Sequence, residues 1–258
     1  MLRHLGAKRT YRHNVKLASL LGMTAGFVNA AGFLGFATLT TNVTGHAALF
    51  AEKIGSRDWS NARVVALWMF LFLAGAFISS LIVSRIGRNQ QYSYTIPILI
   101  ETLILAAVAV EGHRYDESLT GKELFAGSLL FAMGLQNALV SIVSGSVVRT
   151  THLTGTFTDL GIELAQILDH TRKDKPVLHS KIKLRLFIIF FFMTGALGGA
   201  YLFHAFRFHS FFLPVVLLLF ALLYDILRVK IKRYYRQWRM TSDKPAPSAT
   251  VDKTRPFL

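Results

Sequence analysis

The sequence GFVNA at 26–30, followed by TTNVTG at 40–45, has a second copy later in the chain. The second copy reads GLQNA at 134–138, followed by TTHLTG at 150–155. The first blocks are 108 residues apart and the second blocks 110, so the order is kept and two residues are inserted. Each copy lies inside or at the end of a hydrophobic segment. Placing polar residues at membrane depth costs free energy. A polar motif that occurs twice there therefore indicates a functional site and not a lipid-facing surface.

Hydrophobic residues make up 52% of the 258-residue chain, and the mean hydropathy is +0.42. The excess is concentrated in runs long enough to cross a bilayer, which needs about 20 helical residues. Some runs, such as 64–84 and 186–206, contain no Lys, Arg, Asp or Glu. The pattern predicts an all-α bundle of six transmembrane helices, at about 15–36, 64–84, 94–112, 124–143, 186–206 and 208–227.

The net charge of +15 follows this topology. With a cytoplasmic N-terminus, 22 of the 29 Lys and Arg residues fall in inside segments and six in outside segments. This bias predicts that both termini are cytoplasmic. We interpret the positive N-terminus as part of an uncleaved first span and the segment 228–258 as a basic amphipathic stretch with a disordered tail. Anionic lipid headgroups are the expected partner of this basic face, and nucleic acid is not.

The motif divides one membrane domain into two repeats, at about 15–112 and 124–227. A weaker echo supports the division, because FLFLAGA at 70–76 aligns with FFFMTGA at 190–196. Each repeat holds three spans, and an odd number makes the two repeats enter the membrane from opposite sides. The sequence therefore predicts inverted-topology repeats.

An unusual segment follows the first span of each repeat. Residues 37–48 and 144–158 are rich in Thr, Ser, Asn and Gly, and each leads into a modest helical pattern, at 47–54 and 157–168. Thr-Gly before such a pattern suits a helix start, where backbone N–H groups need partners. We expect a broken or re-entrant element after spans 1 and 4. Polar connections at the membrane surface are the alternative.

These segments supply hydroxyls, carbonyls and helix-start N–H groups, which suit a desolvated cation or an anion. The candidate binding residues are Asn29, Thr41, Asn42, Thr44, Gly45, His46, Asn137, Arg149, Thr151, His152, Thr154, Gly155 and Asp159. Asn29 and Asn137 are also consistent with interhelical hydrogen bonds, and Gln136 is assigned to that role. Gly22 with Gly26, and Gly195 with Gly199, predict close helix packing.

The ionisable candidates lie mostly in the second repeat. Arg149 and Asp159 stand where the first repeat has Leu39 and Leu49, and the two are expected to pair or to carry protons. Glu101 lies inside the third span, facing either the bundle interior or the outer end of a tilted helix. His46, His152 and Asp159 lack the spacing of a metal site, so no metal or cofactor is predicted. The chain has no cysteine and no nucleophile–base motif, so we do not expect an enzyme.

The motif residues resemble the YoaK-like bacterial integral membrane proteins, a family of unknown function with six predicted spans. The resemblance rests on AGFVNA at 25–30, TGH at 44–46, AMGLQNA at 132–138 and TTHLTGT at 150–156. It implies a location in the bacterial cytoplasmic membrane. The family usually has Asp at the position of Asn29 and Asn at that of His46. If the family's Asp binds a proton or cation, this chain has lost that carboxylate and the role passes to His46.

These observations predict a small secondary transporter or permease with a midplane site between the repeats. A passive channel, or a structural or assembly protein without transport activity, are the alternatives. The expected ligand is a small solute or ion, and so few spans favour a homodimer.

Overall fold

The computed structural model describes residues 11–87, 92–168 and 175–224, which are helical apart from short connections and contain no strand. The all-α prediction is confirmed. The helices are α1 (Tyr11–Phe36), α2 (Val43–Gly55), α3 (Trp59–Ile86), α4 (Tyr92–Glu111), α5 (Leu119–Gly121), α6 (Gly127–Ser144), α7 (Leu153–Ile167), α8 (Lys175–Phe206) and α9 (212–224). A π-helical turn, Lys122–Ala126, joins α5 to α6, and 3-10 turns lie at Gly112–Arg114 and Arg207–Phe211.

Five stretches of the described residues are long and apolar enough to cross a membrane: Asn14–Phe36, Trp59–Ile86, Ser93–Arg114, Leu119–Ser144 and Lys175–Tyr224. The first four overlap the first four predicted spans. The fifth is 50 residues long and contains α8 and α9, which the turn at Arg207–Phe211 separates. Arg207 has φ 51°, a left-handed conformation that interrupts the helix. The last predicted span runs to residue 227, beyond the described residues, so the total of six stays a prediction.

The described residues up to Leu222 form one compact unit. Of the second unit, Leu223–Leu258, only Leu223 and Tyr224 belong to the described residues. The predicted basic segment and tail at 228–258 lie outside the described residues.

The closest helix packing joins the two predicted repeats. Helix α1 packs along α8, and α3 packs along α6. We call these the α1–α8 pair and the α3–α6 pair. A Cβ added at Gly26 would collide with the carbonyl oxygen of Phe192, and one at Gly195 with that of Met23. Small residues thus let these backbones approach as membrane helices do when a Gly faces the partner.

The α3–α6 pair has the same contacts at the equivalent positions. A Cβ added at Gly134 would collide with the carbonyl oxygen of Phe72, and one at Gly75 with that of Phe131. Gly134 and Phe131 lie 108 residues after Gly26 and Met23, while Gly195 and Phe192 lie 120 residues after Gly75 and Phe72. The two crossings therefore correspond residue by residue. Of the other predicted small residues, Gly199 meets the Phe27 carbonyl, whereas Gly22 has only ordinary contacts.

Helices α2 and α7 begin four residues before the helical patterns that the sequence suggests. The Thr and Gly residues at 44–45 and 154–155 form their first turns and not a separate irregular segment. With 13 and 15 residues, the two helices are about 20 Å long, too short to cross a bilayer. Helix α2 packs on α3, and α7 packs on α8.

Glu101 is fully buried within α4, which resolves the choice between an interior position and a helix end. Neither of its carboxyl oxygens has a hydrogen-bond partner among the described residues. Buried polar groups without partners are costly, so this carboxyl is an energetic exception within α4.

Candidate functional site

Two asparagine–threonine pairs hold the polar connections against the spanning helices. In the first repeat, the Oδ1 atom of Asn29 accepts hydrogen bonds from the Thr41 hydroxyl at 2.9 Å and the Thr41 backbone N–H at 3.2 Å. In the second repeat, the Oδ1 atom of Asn137 accepts a hydrogen bond from the Thr151 hydroxyl at 2.8 Å. Both connections therefore fold back to the level of the asparagine, and the two sequence copies make the same contact.

The neighbouring threonines strengthen this attachment. The Thr40 hydroxyl donates to the Val28 carbonyl oxygen at 3.3 Å, and Thr150 lies 3.4 Å from the Nε2 atom of Gln136. Gln136 is completely buried and also donates to the Leu21 carbonyl oxygen at 2.9 Å. Its assignment to interhelical bonding is therefore confirmed, because it links α6 to α1.

The two short helices start in different ways. Asn42 caps α2, since its Oδ1 atom accepts the Gly45 N–H at 2.9 Å. His152 occupies the same place before α7 but makes no side-chain capping bond. Thr44 and Thr154, in the first turns, are both exposed. The start of α7 therefore has backbone N–H groups that no capping side chain occupies.

A cavity of about 840 Å³ lies where these elements meet, and we call it the principal cavity. Both asparagine–threonine pairs and the starts of both short helices line it. So do Phe72 and Phe192, which correspond to each other in the two crossings. Its full lining is Asn29, Leu39, Thr41, Asn42, Val43, Thr44, Gly45, Ala48, Phe72, Asn137, Ser141, Ser146, Arg149, Thr151, His152, Leu153, Thr154 and Phe192.

A second cavity, of about 400 Å³, shares Ser146, Arg149, His152 and Thr154 with the principal cavity. Its other lining residues are Gly155, Thr156, Thr158, Asp159 and Arg185. Gly155 and Asp159, two candidates from the sequence, therefore lie beside the second cavity and not in the principal one.

Asp159 pairs with Arg185 and not with Arg149, contrary to the expected pairing. The Oδ2 atom of Asp159 lies 2.9 Å from Nη2 of Arg185, and Oε1 of Glu163 lies 3.7 Å from the same nitrogen. The side chain of Arg185 is only 19% exposed, so this α7–α8 link is partly shielded from solvent. The reason for the difference is that Arg185, on the adjacent helix, reaches both carboxylates of α7.

His46 lines neither cavity, so the structure separates it from the other candidates. It is 4% exposed, its Nε2 atom lies 2.9 Å from the Leu39 carbonyl oxygen, and its ring packs against Trp68. Burial lowers the pKa of His46, and the bond to the Leu39 carbonyl offsets part of this effect. The ring therefore packs between α2 and α3.

Sequence reasoning missed several residues of the principal cavity. Phe72 and Phe192 lie in the aligned segments 70–76 and 190–196. The alignment indicates that the two positions are equivalent, but it does not indicate that they line a cavity. Ser141 and Ser146 gave no signal beyond their polarity. Among the described residues, no group of three or more His, Cys, Asp or Glu residues is placed to hold a metal ion.

The helical fold with its apolar stretches defines the chain as a multi-pass integral membrane protein. Residues 17–224 match the model of a family described as "Protein of unknown function (DUF1275)", and the chain belongs to this family. The match is consistent with the YoaK-like resemblance of the motif residues. Comparisons with curated proteins and with solved structures found no match.

Proposed function

We propose that the protein is a small secondary transporter that carries a solute through the principal cavity. The observation that supports this best is that matching polar residues from both repeats face one cavity. Asn29 with Thr41 and Asn137 with Thr151 make equivalent hydrogen bonds on its wall. Transporters built from inverted repeats place their sites at such repeat interfaces, next to the ends of interrupted helices.

The packing suggests which parts move. Asn29 and Phe192, from the α1–α8 pair, line the principal cavity together with Asn137 and Phe72, from the α3–α6 pair. Within each pair, glycines bring the backbones into direct contact, so each pair is expected to behave as one rigid body. We infer that the α1–α8 pair moves against the α3–α6 pair, and that this motion opens the cavity to one side of the membrane at a time.

We also propose a cytoplasmic membrane location with both termini in the cytoplasm, on the basis of the Lys and Arg distribution. In this topology α2 leads toward the outside segment 51–63 and α7 toward the inside segment 169–185. The two short helices then approach the cavity from opposite sides, as alternating access by inverted repeats requires.

The absence of cysteine from the chain allows a direct test. Single cysteines replace Thr44 or Thr154, and a membrane-impermeant maleimide is added to intact cells or to inside-out vesicles. Ser56→Cys, at the exposed end of α2, is the matched control and should react from one side only. A transporter predicts that Thr44→Cys and Thr154→Cys react from either side, with one rate falling whenever the other rises.

The other outcomes separate the remaining functions. Free reaction from both sides at once indicates a channel with a continuous pore. No reaction from either side, in protein that elutes as a folded species and whose Ser56→Cys control reacts, contradicts a solute pathway. The paired motifs then serve only to hold the helices together.

A further inference from the structure

The principal cavity is lined by a positively charged side chain and by no carboxylate. Arg149 is its charged side chain, and no Asp or Glu residue belongs to its lining. The guanidinium is exposed, and no carboxylate of the described residues lies within ion-pair distance of it, since Asp159 and Glu163 both pair with Arg185. An ionisable residue at membrane depth normally has a partner or lines a solute path.

The hydrogen-bonding groups of the cavity wall point to the same sign of ligand charge. The Oδ1 atoms of Asn29 and Asn137 already accept hydrogen bonds from Thr41 and Thr151. The bond from the Thr41 backbone N–H fixes the orientation of the Asn29 amide, and no hydrogen bond between described residues uses the Nδ2 donor of either asparagine. A cation prefers carboxylate and carbonyl oxygens, whereas these groups offer N–H donors.

The uncapped start of α7 adds to this set of donors but does not define the site alone. Leu153 and Thr154, in its first turn, line the principal cavity beside Arg149. Backbone N–H groups at a helix start favour negative charge. The equivalent start of α2 is already capped by Asn42, and the residue equivalent to Arg149 there is Leu39. The second repeat therefore supplies the positive charge and the uncapped helix start that line the cavity.

We propose that the principal cavity binds a small solute with one oxyanion group, a carboxylate or a phosphate. The guanidinium of Arg149 binds the charged oxygens, and the amide donors of Asn29 and Asn137 bind the rest of the solute. Planar guanidinium groups form paired hydrogen bonds with either type of oxyanion. Phe72 and Phe192 add apolar surface to the cavity lining, which suits an organic solute. This inference rests on the proposed transport function and names the solute class for the same site.

The test measures protection of Thr154→Cys from the impermeant maleimide in membrane vesicles. The probes are sodium acetate, sodium lactate and sodium phosphate, each compared with sodium chloride at equal ionic strength. At a probe concentration about ten times its dissociation constant, bound solute should slow labelling by about tenfold. Protection by the two carboxylates alone identifies a carboxylate solute, and protection by phosphate alone identifies a phosphate-bearing solute.

Substitutions in the Thr154→Cys background assign the effect to Arg149. The Arg149→Gln substitution removes a charge-assisted hydrogen bond to the probe. It should therefore weaken the protection of Thr154→Cys about tenfold to a hundredfold. Arg149→Lys, which keeps the charge but loses the paired geometry, should retain part of it. Arg85→Gln removes the same charge from an exposed position at the end of α3 and should leave protection unchanged.

The two proposals fail in distinguishable ways. If Thr154→Cys labels from both sides in alternation but no oxyanion slows it, transport stands and the oxyanion site is wrong. If protection survives Arg149→Gln in full, the assignment to this guanidinium is wrong. If sodium chloride slows labelling as much as the oxyanions do, the cavity binds anions without a preference for oxyanions. That result also overturns the proposal.

Discussion

The connection after α1 and the connection after α6 have the same backbone anchoring but different chemistry. Both are held by an Asn–Thr hydrogen bond, and both lead into a short helix that lines the principal cavity. The first connection has Leu39, followed by Asn42, which caps α2, and the buried His46. The second has Arg149, His152 and Thr156 at these positions, and His152 makes no capping bond to α7. The shared residues therefore build the frame of the principal cavity, while the differing residues give it charge.

The largest expected effect would break the equivalence of the two helix crossings. Gly75→Ala and Gly195→Ala each place a methyl group against a backbone carbonyl, of Phe131 and Met23 respectively. Because backbone cannot move aside as a side chain can, we expect each to cost about 3 kcal/mol. Thermal unfolding of the purified protein in detergent measures the loss.

Gly198→Ala is the matched control, since it lies on α8 and no other described helix comes within 4 Å of an added Cβ there. Alanine should there leave stability unchanged or raise it by up to about 1 kcal/mol. A large loss at only one of Gly75 and Gly195 would show that the crossings are not equivalent.

The next largest expected effect is on the ion pairs of Arg185, which belong to the second repeat alone. Arg185→Gln leaves Asp159 and the largely buried Glu163 without their cation, and we expect a loss of about 1–3 kcal/mol. Arg63→Gln is the control, because Arg63 is 72% exposed in its pair with Glu123 and should cost under about 1 kcal/mol. Equal unfolding midpoints for the two variants would contradict a structural role for the Arg185 link.

The asparagine–threonine pairs should differ in strength. Asn29 accepts two hydrogen bonds and Asn137 one, so Asn29→Ala should cost about 2 kcal/mol and Asn137→Ala about 1 kcal/mol. Double-mutant cycles with Thr41→Val and Thr151→Val measure the coupling by unfolding. Strictly additive losses in both cycles would mean that these hydrogen bonds do not hold the connections.

The smallest effect tests the difference in capping. Asn42→Ala removes the cap of α2 and should cost about 1 kcal/mol, whereas His152→Ala removes no capping bond. His152→Asn should provide the missing cap and stabilise α7 by about 0.5 kcal/mol or more. An unfolding midpoint for His152→Asn below that of the unmodified protein would contradict this assignment.

Much of the fold could be predicted because hydrophobic length and motif spacing report it directly. The uncharged runs locate the spanning stretches, and the copied GFVNA and GLQNA blocks identify the asparagines that later share a cavity. The pairing of α1 with α8 and of α3 with α6 did not follow from the repeats. A glycine pattern shows that a helix packs closely but does not show which helix it meets.

The site was less predictable than the fold, because side-chain direction and partners depend on neighbouring helices. His46 directly follows the first motif copy, but its ring packs against Trp68 and its Nε2 atom contacts the Leu39 carbonyl oxygen. Asp159 pairs with Arg185, 26 residues later, which only the contact between α7 and α8 explains. Both outcomes reflect tertiary contacts that no local spacing contains.

The α1–α8 pair also sets the order of events during synthesis. The close contact between Gly26 and the backbone of Phe192 joins positions about 170 residues apart. At a ribosomal rate of about 5–20 residues per second, α1 leaves the ribosome roughly ten to thirty seconds before its partner exists. Helix α1 is therefore made well before α8, the helix against which its glycines pack. Both helices of the α3–α6 pair are also made before α8. The principal cavity, which Phe192 of α8 helps to line, is accordingly incomplete until α8 has been made.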